Sequence, residues 1–147
     1  VANAFNTTLH HVKPHGALYN LSAKESSVAT MIAKAVKDFD NQLILYGLSG
    51  SESIKEAQAT GIKTASEVFA DRSYQDDGSL TPRSMSNALI DDIDKATAQV
   101  LQMVRGGTVT TVSGKTIVIT AETICIHGDG KQAVELAESV HKVIKTA

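Results

Sequence analysis

The sequence is short of several things that would direct its reading: one cysteine, two prolines, no tryptophan, and three each of tyrosine and phenylalanine in 147 residues. A single thiol closes no internal disulfide. Cys125 lies in the apolar run Thr123-Ile124-Cys125-Ile126, where a buried, unreactive thiol in a reducing cytoplasm is expected. Charge of one sign is also missing: 14 Lys and Arg stand against 16 Asp and Glu, well mixed, with no basic run to follow a phosphate backbone or an anionic leaflet. Nucleic acid and membrane are therefore not expected partners. Within these residues no signal-peptide pattern, long apolar span or internal repeat is read, so neither export nor anchoring is expected. The first residue, Val1, is not methionine and is expected to be a processed end or a cut.

What is present is enough for one domain. With 42% apolar residues the chain can build a real core, and a chain of this length buries roughly two thirds of its unfolded surface. Val28, Met31, Ile32, Ala35, Val36 and Phe39 recur at helical spacing after Ser22-Ala23-Lys24-Glu25, which reads as a capping box. Ile93 to Val104 forms a second helical pattern, opened by Asp91-Asp92 and closed by Gly106; a third runs from about Lys131 to Ile144; a shorter one lies between Ser51 and Thr60, stopped by Gly61. Between them, Leu9–Lys13, Gln42–Tyr46, part of Ile62–Phe69, and Thr123–His127 read as strands. Thr108–Val112 and Thr116–Ile119 flank Ser113-Gly114-Lys115 as a small hairpin. Alternating strand and helix implies parallel pairing, hence an α/β fold with at least four parallel strands plus the hairpin.

In such folds the loops leaving the C-terminal strand ends carry the chemistry. Those loops are Lys13-Pro14-His15-Gly16, Gly47-Leu48-Ser49-Gly50-Ser51, the stretch from Glu67 to Arg83, and His127-Gly128-Asp129-Gly130. His15, in a sharp turn, is a candidate acid or base, against the plainer alternative of a histidine bonded within its own loop. His10 and His11 sit within a strand on opposite faces and read as structural. Asp71 beside Arg72 offers a carboxylate base or ligand next to an anion-binding fork, or else only a surface ion pair. The loop that follows is too long to be a mere connector, and Val68, Phe69, Tyr74 and Leu80 give it apolar anchors, so an ordered loop is expected. Asp76-Asp77-Gly78 reads as a turn. His127 with Asp129 has a spacing found at hydrolytic metal sites and in ordinary loops alike; no three-ligand zinc set emerges, and a metal is left open. The loop carrying Ser49 leads into a helix N-terminus suited to an anion, or is an ordinary cap, and it lacks the lysine and length of a Walker A loop.

Three segments taken together, His11 through Asn20, Glu67-Val68-Phe69-Ala70-Asp71-Arg72 through Asp77-Gly78-Ser79-Leu80 to Pro82-Arg83, and Cys125-Ile126-His127-Gly128-Asp129, resemble in order and spacing the hallmark segments of the LamB/YcsF family. The resemblance spans essentially the whole chain. Asn87 stands where the family usually has glycine, and Gly130-Lys131 replaces a frequent proline-containing turn. The resemblance implies part of a distorted parallel β/α barrel of the deacetylase-like kind, with this chain as the C-terminal portion of a single domain. The family's acidic first strand and a second histidine motif are absent from it, so an N-terminal segment is expected as a partner.

For function, the resemblance implies cleavage of 5-oxoproline to glutamate coupled to ATP hydrolysis, carried out with the B and C subunits of a 5-oxoprolinase. A lactam resists water because its amide is resonance-stabilised; phosphorylation of its oxygen yields a carbon that a modest base can hydrolyse. On that reading His15 or Asp71 activates water, Lys13 and Arg72 hold phosphate or carboxylate, Arg83 and Ser49 belong to the substrate-binding residues, and His127 with Asp129 closes the site. A metal-dependent amide or carbohydrate deacetylase, and a non-catalytic substrate-binding subunit, are the alternatives.

Overall fold

The computed structural model describes residues 6–145. Two compact units divide at Ser66, with β3 continuing from one into the other.

The first unit carries strand β1 (His11–Val12), helices α1 (Ala17–Lys24) and α2 (Ser26–Phe39), strand β2 (Ile44–Leu48), helix α3 (Glu52–Thr60) and the opening residues of β3 (Lys63–Phe69). β1 pairs in parallel with β2, His11 opposite Ile44 and Val12 opposite Leu45. Its core is Ala33 and Val36 of α2, Leu43 and Leu45, and Ala57 and Ile62 at the far end of α3, with Val12 and Ile32 packed against it. Each leucine so enclosed contributes about 1.5–3 kcal/mol. Polar groups fasten the helices to one another: Glu56 of α3 accepts hydrogen bonds from Ser26 (2.8 Å) and Thr30 (2.8 Å) of α2, and Ser53 donates to Ser22 of α1 at 2.9 Å. Strand and helix meet closely at Gly47, where a Cβ would stand 3.0 Å from that of Ser53.

Two expectations change here. Residues 17–24 form a helix of their own, so Ser22 is no capping residue for α2; it is buried and donates to the carbonyl of Tyr19, and α2 begins after Glu25 without a side-chain cap. β2 also reaches Leu48, two residues beyond the expected end, which takes Gly47-Leu48 out of the following loop. α3 stops where expected, at Gly61 in the left-handed region (φ 85°).

The second unit holds the last residues of β3, helix α4 (Ile93–Gly106), strands β4 (Thr108–Thr110), β5 (Thr116–Val118) and β6 (Thr123–Cys125), and helix α5 (Ala133–Lys145). β3 pairs in parallel with β6, Glu67 with Thr123, Val68 with Ile124 and Phe69 with Cys125, while β4 and β5 form the expected antiparallel hairpin. The strand order is β1-β2-β3-β6, giving the α/β fold with four parallel strands. Asp92 caps α4 by accepting from the Lys95 amide at 2.9 Å, and Gly107 rather than Gly106 is its left-handed terminus. Cys125 is in no disulfide and is only half-buried, where a buried thiol was expected.

Candidate functional site

The chain between β3 and α4 has no helix or strand of its own, yet it is fixed at almost every turn. Its backbone pairs with itself, the Ser73 amide with the Ala88 carbonyl, Thr81 with Ser73, and Ile90 with Asp71, all at 3.0–3.1 Å. Tyr74 is fully buried, and its hydroxyl accepts from the Phe69 amide at 2.8 Å. Burial pushes the pKa of that phenol well above the ordinary tyrosine range, even though the Phe69 amide works in the opposite direction. From α4, the Gln99 side-chain amide donates to the carbonyls of Phe69 (3.0 Å), Ala70 (3.3 Å) and Arg72 (2.9 Å), closing the strand end. Farther along, the Asp76 carboxylate accepts from Thr111 and Ser113 of the hairpin at 2.5 and 2.7 Å, and those bonds hold it below the usual carboxylate range.

Arg72 belongs to the same scaffold. It is 5% exposed, and its guanidinium donates to the carbonyls of Ala88 (3.2 Å) and Thr81 (2.6 Å). Burial lowers its pKa first, and the nearby Arg83 charge lowers it further. Two donors of the expected anion-binding fork, for which the plainer alternative was a surface ion pair with Asp71, go instead to the loop's own carbonyls, because a guanidinium taken out of water must place its donors on fixed acceptors.

Asp71 turns instead to the end of β6. One of its oxygens accepts the His127 backbone N–H at 2.9 Å, and the same carboxylate lies 2.9–3.0 Å from Nδ1 of the His127 ring. A carboxylate only accepts, so this bond places a proton on Nδ1, and in the neutral ring Nε2 is the nitrogen left able to accept one. The ring also stacks on Phe69, with centroids 5.6 Å apart and planes at 24°. Two bonds and one stacked face thus hold a single imidazole in one orientation and one tautomer.

This pair opens onto a cavity of about 550 Å³ lined on its apolar side by Leu89, Ile90, Ile93 and Leu136, and on its polar side by Arg83, Asp91, Asp129 and Lys131 as well as the pair itself. Arg83 faces Asp129 at 3.7 Å, too long for a hydrogen bond, and both side chains are more than half exposed. The structure therefore brings together four of the candidate residues, Asp71, Arg83, His127 and Asp129, within the second unit. Tyr74 was expected as an apolar anchor, and its hydroxyl bond adds a polar one; Gln99 was missed as a support and Lys131 as a lining residue, the first lying within a helix away from the hallmark segments and the second just past one.

The first unit's candidates have a different setting. His15 is exposed in the turn before α1, where Gly16 takes a positive φ of 59°. Lys13 is exposed, its ammonium 5.4 Å from the centre of the Tyr19 ring. Ser49 is buried in the loop between β2 and α3. His11 stacks on Tyr46 with ring centres 4.2 Å apart, and His10 lies just outside β1. Among the described residues, no cluster of three or more His, Cys, Asp or Glu side chains is arranged to hold a metal ion, and no helix is long and apolar enough to cross a membrane.

All 147 residues match the LamB/YcsF family. The chain belongs to the LamB/YcsF family. Among its curated relatives, a Geobacillus kaustophilus protein named as the A subunit of 5-oxoprolinase is 56% identical over 135 residues, covering 92% of this chain and 53% of the relative. A Bordetella pertussis protein of the same name is 51% identical over 145 residues, covering 99% of this chain and 58% of that protein. The crystal structure of a lactam utilization protein from Thermus thermophilus superposes with a TM-score of 0.88 at 38% identity, covering 98% of this chain and 57% of that one. This LamB/YcsF chain thus spans a little over half the length of the relatives it matches.

Proposed function

We propose that the chain serves the hydrolytic half-reaction of an ATP-dependent 5-oxoprolinase as its A subunit, opening the lactam of 5-oxo-L-proline to L-glutamate in the cytoplasm together with B and C subunits that use ATP. The observation that carries this reading is the Asp71–His127 pair at the wall of an apolar-floored cavity. With Nδ1 committed to Asp71, Nε2 of His127 can take a proton from water as the water oxygen adds to the activated ring carbon. The same nitrogen then returns that proton to the ring nitrogen as the C–N bond breaks. Asp71 stabilises the imidazolium formed between the two transfers. Phosphorylation of the lactam oxygen, supplied by the partner subunits, makes the carbon electrophilic enough for so mild a base; ring opening then leaves a γ-glutamyl acyl phosphate, and a second water releases glutamate and inorganic phosphate.

Arg83 belongs to the substrate-binding set with Asp129 as its neighbouring carboxylate, and Lys13, His15 and Ser49 remain in the proposal as loop residues of the first unit. Arg72 enters through the loop that it clamps. The names of the relatives, one a 5-oxoprolinase component and the other a lactam utilization protein, support the same substrate class. The test is glutamate formation by the full-length protein with its partners, ATP and 5-oxoproline. His127→Ala should slow it by about 10²–10⁴-fold with assembly intact. Unchanged turnover would move the chemistry elsewhere and leave this chain a substrate-binding subunit.

A further inference from the structure

The cavity is amphiphilic in a way that specifies more than a lactam. Its Leu89, Ile90, Ile93 and Leu136 side chains suit ring methylenes, and His127 supplies the reacting nitrogen. Neither accounts for the cations on the rim. Arg83 and Lys131 both line the cavity, but they are not equivalent. A guanidinium presents a flat fork of donors that matches the two oxygens of a carboxylate, whereas an ammonium is a point charge.

Two neighbours make Arg83 the stronger candidate. Its near carboxylate, Asp129, stays at 3.7 Å and is 73% exposed in its side chain, so it neutralises charge without occupying the fork. The buried Arg72 is near enough to feel Arg83: its charge is disfavoured first by burial and then by that of Arg83, and an anion bound at Arg83 would offset this second effect. Arg72 itself cannot take that anion on the donors already given to the Thr81 and Ala88 carbonyls.

We propose that Arg83 is the specificity-determining residue of this cavity, gripping the carboxylate beside the lactam ring, and that Asp129 is the exchangeable counterion the substrate displaces. The inference rests on the function proposed above and adds the residue that separates an acid from its neutral analogue. Because Asp129 sits on the exposed turn after β6, it can swing into solvent when a substrate carboxylate arrives.

The experiment uses the full-length protein with its partner subunits and two probes, 5-oxoproline and its neutral primary carboxamide, in turnover and in calorimetric binding. Arg83→Gln keeps much of the length and polarity of the side chain while removing the charge. It should raise KM and Kd for the acid about 10- to 100-fold, the size expected from losing charge-assisted hydrogen bonds, with kcat within about threefold. Affinity for the carboxamide should change less than about threefold, so the preference for the acid collapses. Arg83→Lys should restore part of it, and Asp129→Asn should leave acid binding equal or tighter. Equal losses for both probes in Arg83→Gln, or an unchanged preference, would overturn the assignment. If the wild-type assembly forms no glutamate, the proposed function falls, while the calorimetric preference for acid over carboxamide still decides the role of Arg83.

Discussion

In the first unit the turn after β1 is short, and its ionisable side chains, Lys13 and His15, stand at the surface. In the second, the chain from Ala70 to Asp92 folds back on itself, and donors from the buried Arg72, the half-buried Gln99 and the Tyr74-bound amide fix it. Both loops follow a parallel strand. The difference lies in whether the loop can bury polar groups with partners: an unpartnered group inside costs about 1–3 kcal/mol, so only a loop long enough to bring its own acceptors can enclose an arginine. Enclosure in turn holds Asp71 steady, and Asp71 holds His127. The second unit spends its polar groups on preorganisation, whereas the turn after β1 presents its charges to solvent.

That contrast can be broken most directly at the pair. Asp71→Asn preserves shape but offers His127 an amide that can present either a donor or an acceptor to Nδ1, so the tautomer is no longer dictated. A fall in kcat of about 10²-fold or more is expected, with KM little changed and partial recovery in Asp71→Glu. A change confined to KM would mean that Asp71 touches substrate and does not position the imidazole.

The frame itself is the next target. Arg72→Met should destabilise the protein by about 2–4 kcal/mol, since the Ala88 and Thr81 carbonyls lose their buried donors, and Tyr74→Phe by about 1–3 kcal/mol through the stranded Phe69 amide. Both are read from denaturant midpoints. A loss under about 0.5 kcal/mol in each, the size of an ordinary surface change, would show that the loop is held by its backbone pairing alone. Tyr74 also predicts an alkaline effect. Its folded pKa is raised, so its contribution is intact below the ordinary tyrosine value near 10 and is lost as pH climbs from there towards the folded one. Tyr74→Phe should flatten that part of the stability curve.

A smaller effect belongs to the first unit. His15→Ala should shift stability by no more than about 0.5 kcal/mol, as for an exposed side chain, and should lower turnover less than His127→Ala does. Equal losses at the two histidines would erase the distinction between the enclosed loop and the exposed turn. Smallest of all is Asp76. Its lowered pKa means that its two hydroxyl bonds help above the ordinary carboxylate value near 4 and cease to help as pH falls through the folded value. The melting temperatures of wild type and Asp76→Asn should therefore converge in acid, and a constant difference down to about pH 2, below the ordinary carboxylate range, would show that the bonds do not depend on the charge.

Periodicity exposed most of the scaffold. α2, α3, α4 and α5 each carry apolar residues at helical steps, and the two glycine stops fall within a residue of their expected places. α1 escaped because its buried face is Tyr19 and Ser22 while Leu18 and Leu21 point outward, the reverse of the pattern a helix search rewards. The site was legible as a set of hallmark residues but not as a set of bonds. Asp71 and His127 are 56 positions apart, and nothing local to either announces the other. Arg72 was legible only in part for a related reason: a guanidinium beside a carboxylate reads as an anion-binding fork or a surface ion pair, and only the fold reveals that it is inside, among carbonyls.

Gln99 fastens the strand end through the sign of one group. Its amide nitrogen faces the oxygens of residues 69, 70 and 72. A carboxylate at that position would set a negative charge against three carbonyl dipoles and turn the strand-end fastener into a wedge, whereas a thioether would fill the space and donate to none of them. Gln99→Glu should therefore lower the hydrogen-exchange protection of the loop more than Gln99→Met does, and equal protection in the two variants would show that shape alone does the fastening.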